Sequence, residues 1–361
     1  MKIKTFFAKL RSFVLGEGFQ VKKTIDDEIN ELITHVEEPA DRELYTTVLK
    51  TQLNYFKQES AMNTVECPKC GEKVSSSQTN KVNKILPRIV VKVLDELVVT
   101  RDIFGIQPMQ GPVGLIYKLR ILEEEKTSED GTKRLSLQVV SNAVEAQTRK
   151  LHACWTIEAM QDMKTFHGID IEEEIIIALA SEIAFEIVGE MLNAMQQSNV
   201  REIELGSFTD DGDVGASFAL EINKASNEIA RKTRRGCGNF VVLSPIGLAR
   251  LQCDGTSSFK AATKKEKKKK SGRLTYCGRL NKTIKVYADP FAETLAVVGY
   301  KGTAGGETDC GLVYSPYIMV MSTGVIMDPK TFQPKVGMMT RYGKSFDDAA
   351  SGYYVTLKEA A

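Results

Sequence analysis

Three stretches of this chain carry residue types that could do chemistry. The first is Cys67-Pro68-Lys69-Cys70-Gly71. Two thiolates on a tight turn can hold two corners of a zinc tetrahedron, and a Cys-x-x-Cys pair is half of a zinc ribbon. The other cysteines, Cys154, Cys237, Cys253, Cys277 and Cys310, stand singly. A structural zinc at Cys67 and Cys70 would need its remaining ligands from elsewhere, such as another subunit; the competing reading is a reduced, solvent-facing turn. The second stretch holds Lys264, Lys265, Lys267, Lys268, Lys269 and Lys270. Lysines this close repel one another and stay solvated. The functional alternative is a grip on phosphates, because lysines displace counterions from nucleic acid. With no arginine or aromatic residue interleaved, such a grip is non-specific. The third stretch is Gly337–Ser345, GMMTRYGKS, which mimics a phosphate loop. Its glycines are one residue too far apart for that motif, and it lies near the chain end with no helix to follow.

Other catalytic constellations are not found. His35, His152 and His167 sit in no His-Glu-x-x-His pattern and beside no nucleophile motif, and no glycine-rich dinucleotide fingerprint occurs. The sequence argues against an enzyme and against a bound cofactor. At 361 residues, 42% hydrophobic and 26% charged, the composition is globular and long enough for two domains or one elaborated domain. A net charge of +1 argues neither for nor against nucleic acid. No apolar run approaches the roughly 18 residues of a membrane span, so no membrane partner is expected. The N-terminal MKIKTFFAKLRSFVLGEG is interrupted by Lys9 and Arg11, and reads as a basic amphipathic helix rather than a signal peptide. Scattered cysteines suit a reducing cytoplasm.

The elements that must position these residues are legible from periodicity. Residues 168–197, GIDIEEEIIIALASEIAFEIVGEMLNAMQQ, contain no proline. Asp170 can cap a helix start, and Glu172, Glu173 and Glu174 put negative charge in its first turn. Ile176, Ala180, Ile183, Ile187, Met191 and Met195 recur at helical spacing. A helix over Ile171–Gln197 would be about 40 Å long, a spine for other elements. Glu174, Glu182, Glu186 and Glu190 line another face, which prefers water or a basic partner.

Before the spine, residues 3–58 read as two amphipathic helices separated at Pro39, the second running from Asp41 to Lys57. With little core of their own, they require a partner in this chain or another. Apolar periodicity resumes over 82–104. Leu115–Leu122 alternates as a strand, Glu123–Arg134 is charged and contains the hairpin signal Asp130-Gly131, and Leu135–Val140 returns. This predicts a projecting two-stranded loop. Glu123, Glu124, Glu125, Asp130, Lys133 and Arg134 at its tip are candidate intersubunit contacts, or else a plain exposed hairpin. Val144–Trp155 reads as strand and Thr156–Lys164 as helix, with Gly168 as its left-handed stop. After the spine come a Gly/Asp loop at 206–215, a helix over Ala219–Arg235, a strand at Phe240–Leu243 and a helix from Ser244-Pro245. A long polar loop over 254–273 follows, then strands at Ile284–Tyr287, Ala296–Tyr300 and Tyr317–Met321. The sum is a mostly β core with helices around it.

Several separated blocks, in order, resemble the major capsid protein of T-even-type tailed phages, the myoviruses. They are Phe104–Gly114, FGIQPMQGPVG; VEAQTRKLHA from Val144 and WTIEAMQD from Trp155, leading into the spine; Val286–Pro290, VYADP, with Val298–Gly302, VGYKG; and Asp328–Pro334, DPKTFQP, through Thr340–Gly343. The resemblance spans roughly residues 85–345 and reads the mimic phosphate loop as a capsid strand with its turn.

The resemblance implies an α+β chain with the tailed-phage and herpesvirus major capsid fold. Residues 1–80 would be an N-terminal helical arm that meets a scaffold. Residues 81–199 with 324–361 would form a peripheral domain built on the spine, with an extended loop at about 107–141. Residues 200–323 would form an axial domain. It implies a structural protein, not an enzyme, that assembles as hexameric capsomers into an icosahedral or prolate head shell enclosing DNA. Vertex, scaffold, portal and decoration proteins would be its partners, in a virion assembled in the host cytoplasm. Family members often lose their N-terminus to a protease. Ile29-Asn30-Glu31 and Leu94-Asp95-Glu96 fit the Ile/Leu-x-Glu cleavage signal, one early and one inside the body. The Cys67–Cys70 pair, the lysine loop and an extended loop of only about thirty residues depart from the family pattern. Lysine loops crowded round a capsomer centre would need something acidic, either DNA or the neighbouring Asp210, Asp211 and Asp213. The alternatives are the related pentameric vertex protein, a cytoplasmic nucleic-acid-binding protein, and a nanocompartment of the same fold.

Overall fold

The structure, a computed structural model, describes residues 39–62, 99–124, 134–168, 170–203, 214–252, 259–263, 273–302, 308–331, 333–346 and 352–359, with short pieces within 29–36, 65–74 and 90–97. Its helices are α1 (Pro39–Met62), α2 (Ile157–Asp162), α3 (Ile171–Gln196), α4 (Val214–Thr233) and α5 (Pro245–Gln252). The strands are β1 (Val65–Glu66), β2 (Lys73–Val74), β3 (Gly105–Ile106), β4 (Val113–Glu124), β5 (Arg134–Glu145), β6 (Gln147–Cys154), β7 (Val200–Ile203), β8 (Phe240–Leu243), β9 (Phe259–Ala261), β10 (Thr275–Leu280), β11 (Ile284–Ala288), β12 (Ala296–Gly299), β13 (Leu312–Met327), β14 (Pro334–Phe346) and β15 (Tyr354–Glu359).

The spine is α3, 26 residues and so about 39 Å long. Asp170 accepts a hydrogen bond from the Glu172 backbone N–H at 3.1 Å, and the predicted stripe from Ile176 to Met195 is buried throughout. Before the spine, α2 is capped by Thr156, continues as one π turn over Met163–His167 and stops at Gly168, where φ is 65°. Against the spine lies a four-stranded sheet in the order β3-β13-β14-β6. The Gly337–Ser345 stretch is the middle of β14, a plain sheet strand paired with β13 and β6.

A seven-stranded sheet has the order β7-β15-β12-β8-β11-β10-β9. Its centre, β8, is a continuous apolar run buried on both sides. Side chains alternate across a strand. Phe240 and Val242 therefore join the core under the spine, while Val241 and Leu243 join a second core with Phe218, Ile222, Ala225 and Ile229 of α4. Ser244 caps α5 by accepting a hydrogen bond from the Gly247 N–H at 3.2 Å.

Three expectations differ from the structure. The described part of the supposed N-terminal arm lies in the main core: Ile29, Ile33, Val36, Tyr45, Val48 and Leu49 are buried there. Gln52 of α1 donates to the Val320 carbonyl at 2.8 Å and accepts from the Met319 N–H at 2.9 Å, so the amphipathic face finds its partner in β13 of this chain. The boundary expected at residue 324 falls inside β13, and β15 pairs with β12 and β7 in the seven-stranded sheet. Finally, the polar loop at 254–273 contains β9, which pairs with β10.

Candidate assembly surface

The two-stranded loop predicted from sequence is present and stands apart from both sheets. Among the described residues, β4 and β5 pair only with each other, from Val113 opposite Glu145 to Glu124 opposite Arg134. Directly opposed residues of an antiparallel pair share a face. One face seats the root of this hairpin on the body: Ile116 and Val144 are buried with Cys310 and Val313. On the same face the buried Lys118 ammonium donates to the carbonyls of Gly311 and Ser345, each at 3.4 Å. The Gln107 side chain fixes the edge of β4, donating to the Tyr117 carbonyl at 3.2 Å. The opposite face is bare: Val113, Leu115, Tyr117 and Val139 are 62%, 58%, 49% and 61% exposed.

These apolar residues, rather than the charged tip, are what the sequence reading missed. Their signal was present, because Val113, Leu115 and Tyr117 alternate with Gly114, Ile116 and Lys118. Alternation names two faces but not which one the body covers. Of the predicted tip residues, Glu123 and Glu124 end β4 and Arg134 begins β5, while Glu125, Asp130 and Lys133 lie outside the described residues. Cys67, Cys70, the acidic Asp210–Asp213 segment and the lysines from Lys264 to Lys270 also lie outside them. β1 and β2 pair on either side of the Cys67–Cys70 stretch, Glu66 opposite Lys73. Among the described residues no three His, Cys, Asp or Glu side chains converge as a metal site. In both matches to the cleavage signal the first residue, Ile29 or Leu94, is buried.

The acidic face of the spine meets a basic partner at one point. Glu190 accepts hydrogen bonds from Arg149 of β6 at 2.9 Å, from Lys344 of β14 at 2.7 Å and from the Tyr342 hydroxyl. Burial opposes its ionisation, but the Lys344 and Tyr342 hydrogen bonds and the charges of Lys344 and Arg149 outweigh it and hold the carboxyl below its ordinary range. Burial, together with the hydrogen bond to Glu190, drives Tyr342 upward. These groups border an open cleft of about 470 Å³ between the spine and β14, which also touches Arg273 and Asn193. Every strong donor there is already committed to Glu190 or to Asp289, which makes the cluster a brace of the sheet against the spine.

Comparison with known proteins finds similar sequences among phage major capsid proteins. Residues 122–359 match the family model of the major capsid protein Gp23. The chain is 31% identical over 244 residues to the major capsid protein of Vibrio phage KVP40, covering 60% of this chain and 46% of that one. It is 31% identical over 240 residues to the major capsid protein of Enterobacteria phage T4, covering 58% of this chain and 44% of that one. It thus spans about half the length of the curated relatives it matches. Among solved structures, the capsid of Myoviridae phage XM1 is similar with a TM-score of 0.46 and 10% identity, over 72% of this chain and 92% of that one. The family match runs from the outer part of the hairpin to the C-terminal strand, well over half of the 361 residues, and the chain belongs to the Gp23 major capsid protein family.

Proposed function

We propose that this chain is a structural shell subunit, which self-associates into capsomers that tile a phage head around DNA. The observation that carries this reading is the bare face of the hairpin. Four large apolar side chains stand side by side on two strands that the body does not cover. A contiguous apolar face of this kind marks an interaction surface. Covering the exposed part of the four is worth on the order of 5 kcal/mol. The cover is a second copy of the chain, as family membership suggests. Hexameric capsomers, contacts with vertex, scaffold, portal and decoration proteins, and residence in the virion belong to the same proposal, and the role is structural rather than enzymatic.

Electron microscopy and sedimentation of the purified chain test it. Capsomers or shells are expected, and a monomer that persists at high concentration overturns the reading. The double variant Leu115→Asp, Tyr117→Asp changes two exposed positions. It should keep the native circular dichroism and melting temperature while losing particles. Normal particles from it would remove the hairpin face from the interface.

A further inference from the structure

The segment that joins β6 to the spine is an elbow with little core of its own. No residue of α2 or of the π turn that follows it is buried, and Phe166 is 78% exposed. A ring this bare, held in a helical turn that ends at a fixed left-handed stop, suits an anchor that enters a partner's surface. Lys164 and His167 flank it in the same turn, and both are exposed. The elbow therefore presents an apolar knob between a lysine and a histidine.

The first half of the spine carries the complement. Of its acidic row, Glu190 is held by Arg149 and Lys344, whereas Glu174 and Glu182 are exposed and enter no ion pair among the described residues. Glu174, Ala178 and Glu182 stand four residues apart and so share one line of the helix. Ala178 is exposed as well. The line thus reads carboxylate, methyl, carboxylate over about 12 Å, a notch long enough to take a phenyl ring. The knob lies just before the spine's cap at Asp170, and the notch about 12 Å beyond that cap. Phe166 is bare, so the chain does not close this fit on itself. A patch that carries both halves of one fit side by side is self-complementary, which is the requirement of a two-fold contact.

We propose that this surface pairs two copies of the chain about a two-fold axis, the elbow of each seated on the spine of the other. The spines run antiparallel across the contact. Phe166 of each copy fills the notch at Ala178 of the other, and Lys164 and His167 face Glu174 and Glu182. The first-turn carboxylates Glu173 and Glu174 lie beside the axis, and the same lysine and histidine offset their mutual repulsion. A two-fold contact does not close a six-fold ring, so its place is between capsomers. The inference rests on the shell-subunit reading and adds a contact separate from the hairpin face.

Two measurements test it. The first is sedimentation of the hairpin variant Leu115→Asp, Tyr117→Asp. That variant should form no particles but should still be a dimer at high concentration, and adding Phe166→Asp should weaken the dimer about ten-fold or more. Ala178→Gln, which fills the notch at an exposed helix position, should do the same and covers the case in which the Phe166 variant misfolds. In a charge-exchange cycle on the same background, Lys164→Glu and Glu182→Lys should each weaken the dimer, and combining them should recover most of the loss. The second measurement couples mixed ¹⁴N and ¹⁵N wild-type particles with a zero-length carbodiimide reagent; mixed-isotope links between Lys164 and Glu174 or Glu182 are expected. A hairpin variant that stays monomeric, with no mixed links at Lys164 in wild-type particles, overturns the inference while leaving the shell reading intact. Dimers unchanged by both Phe166→Asp and Ala178→Gln do the same. A wild type that never associates overturns both readings. Loss of salt-sensitive DNA retention in Lys164→Glu, with the dimer unchanged, makes the elbow a nucleic-acid contact and also overturns the inference.

Discussion

Glu190 belongs to the row of carboxylates along the spine, but its surroundings set it apart from Glu182 and Glu186, which are exposed. Its folded-state pKa is depressed below the ordinary 4.5, because two cations and a phenol outweigh the cost of burial. The stability it contributes is therefore fully present above its unfolded pKa and is lost as pH falls through the folded value. Glu190→Gln should cost about 1.5–3 kcal/mol at neutral pH, the range for hydrogen bonds to a charged group. At an acid pH below its folded value, where the wild type loses its own advantage, the difference should shrink. Urea midpoints of both proteins at the two pH values check this, and an equal loss at both would rule out the charge as the source.

The amphipathic helix α1 makes the same point about context at the level of an element. Its apolar side and Gln52 dock on β13, and Tyr45 donates to Asp95 at 2.6 Å. An ion pair between Arg101 and Asp41 pins its first turn. Docked in this way, α1 is part of the body's core. Leu49→Ala should lower the stability of the whole body by about 2–5 kcal/mol, the usual cost of opening a cavity. Chemical denaturation followed through Trp155, which sits in the same core, reads it out. A change within about 0.5 kcal/mol would mean that α1 is peripheral after all.

For the molecule as a whole, the question is what holds the two sheets in one orientation. Arg273, at the entry to the seven-stranded sheet, pairs with the fully buried Asp289 at 3.3 Å and lies over Phe185 of the spine, 4.6 Å from its centroid, and over Phe291 at 5.5 Å. On the other side, Lys285 and Tyr287 of β11 reach Asp102 at 2.8 and 2.6 Å. The two cores share the seven-stranded sheet, so the body should unfold as one cooperative transition. Arg273→Ala leaves a buried carboxylate without its cation and should cost about 3–5 kcal/mol. Adding Asp289→Asn should recover part of that. Calorimetry on the three proteins checks both the size and the single transition.

Much of the local structure was legible in the sequence: the capped spine and its buried stripe, the β4–β5 hairpin, β8, the helix start at Ser244-Pro245 and the stop at Gly168. Each rests on side-chain periodicity or on a cap within a few residues, which any window of the chain displays. The ordered blocks from Phe104 to Gly343 also carried the family. Only the tertiary structure decided the rest. It sent β15 back between β7 and β12, docked α1 on β13, turned Glu190 toward Arg149 and Lys344, and left the Leu115 face of the hairpin bare while covering its Ile116 face. These depend on pairings between residues far apart in the chain. Alternation tells that a strand has two faces, and an amphipathic helix that it needs a partner; which surface meets which is settled only when distant segments compete to bury the same apolar area.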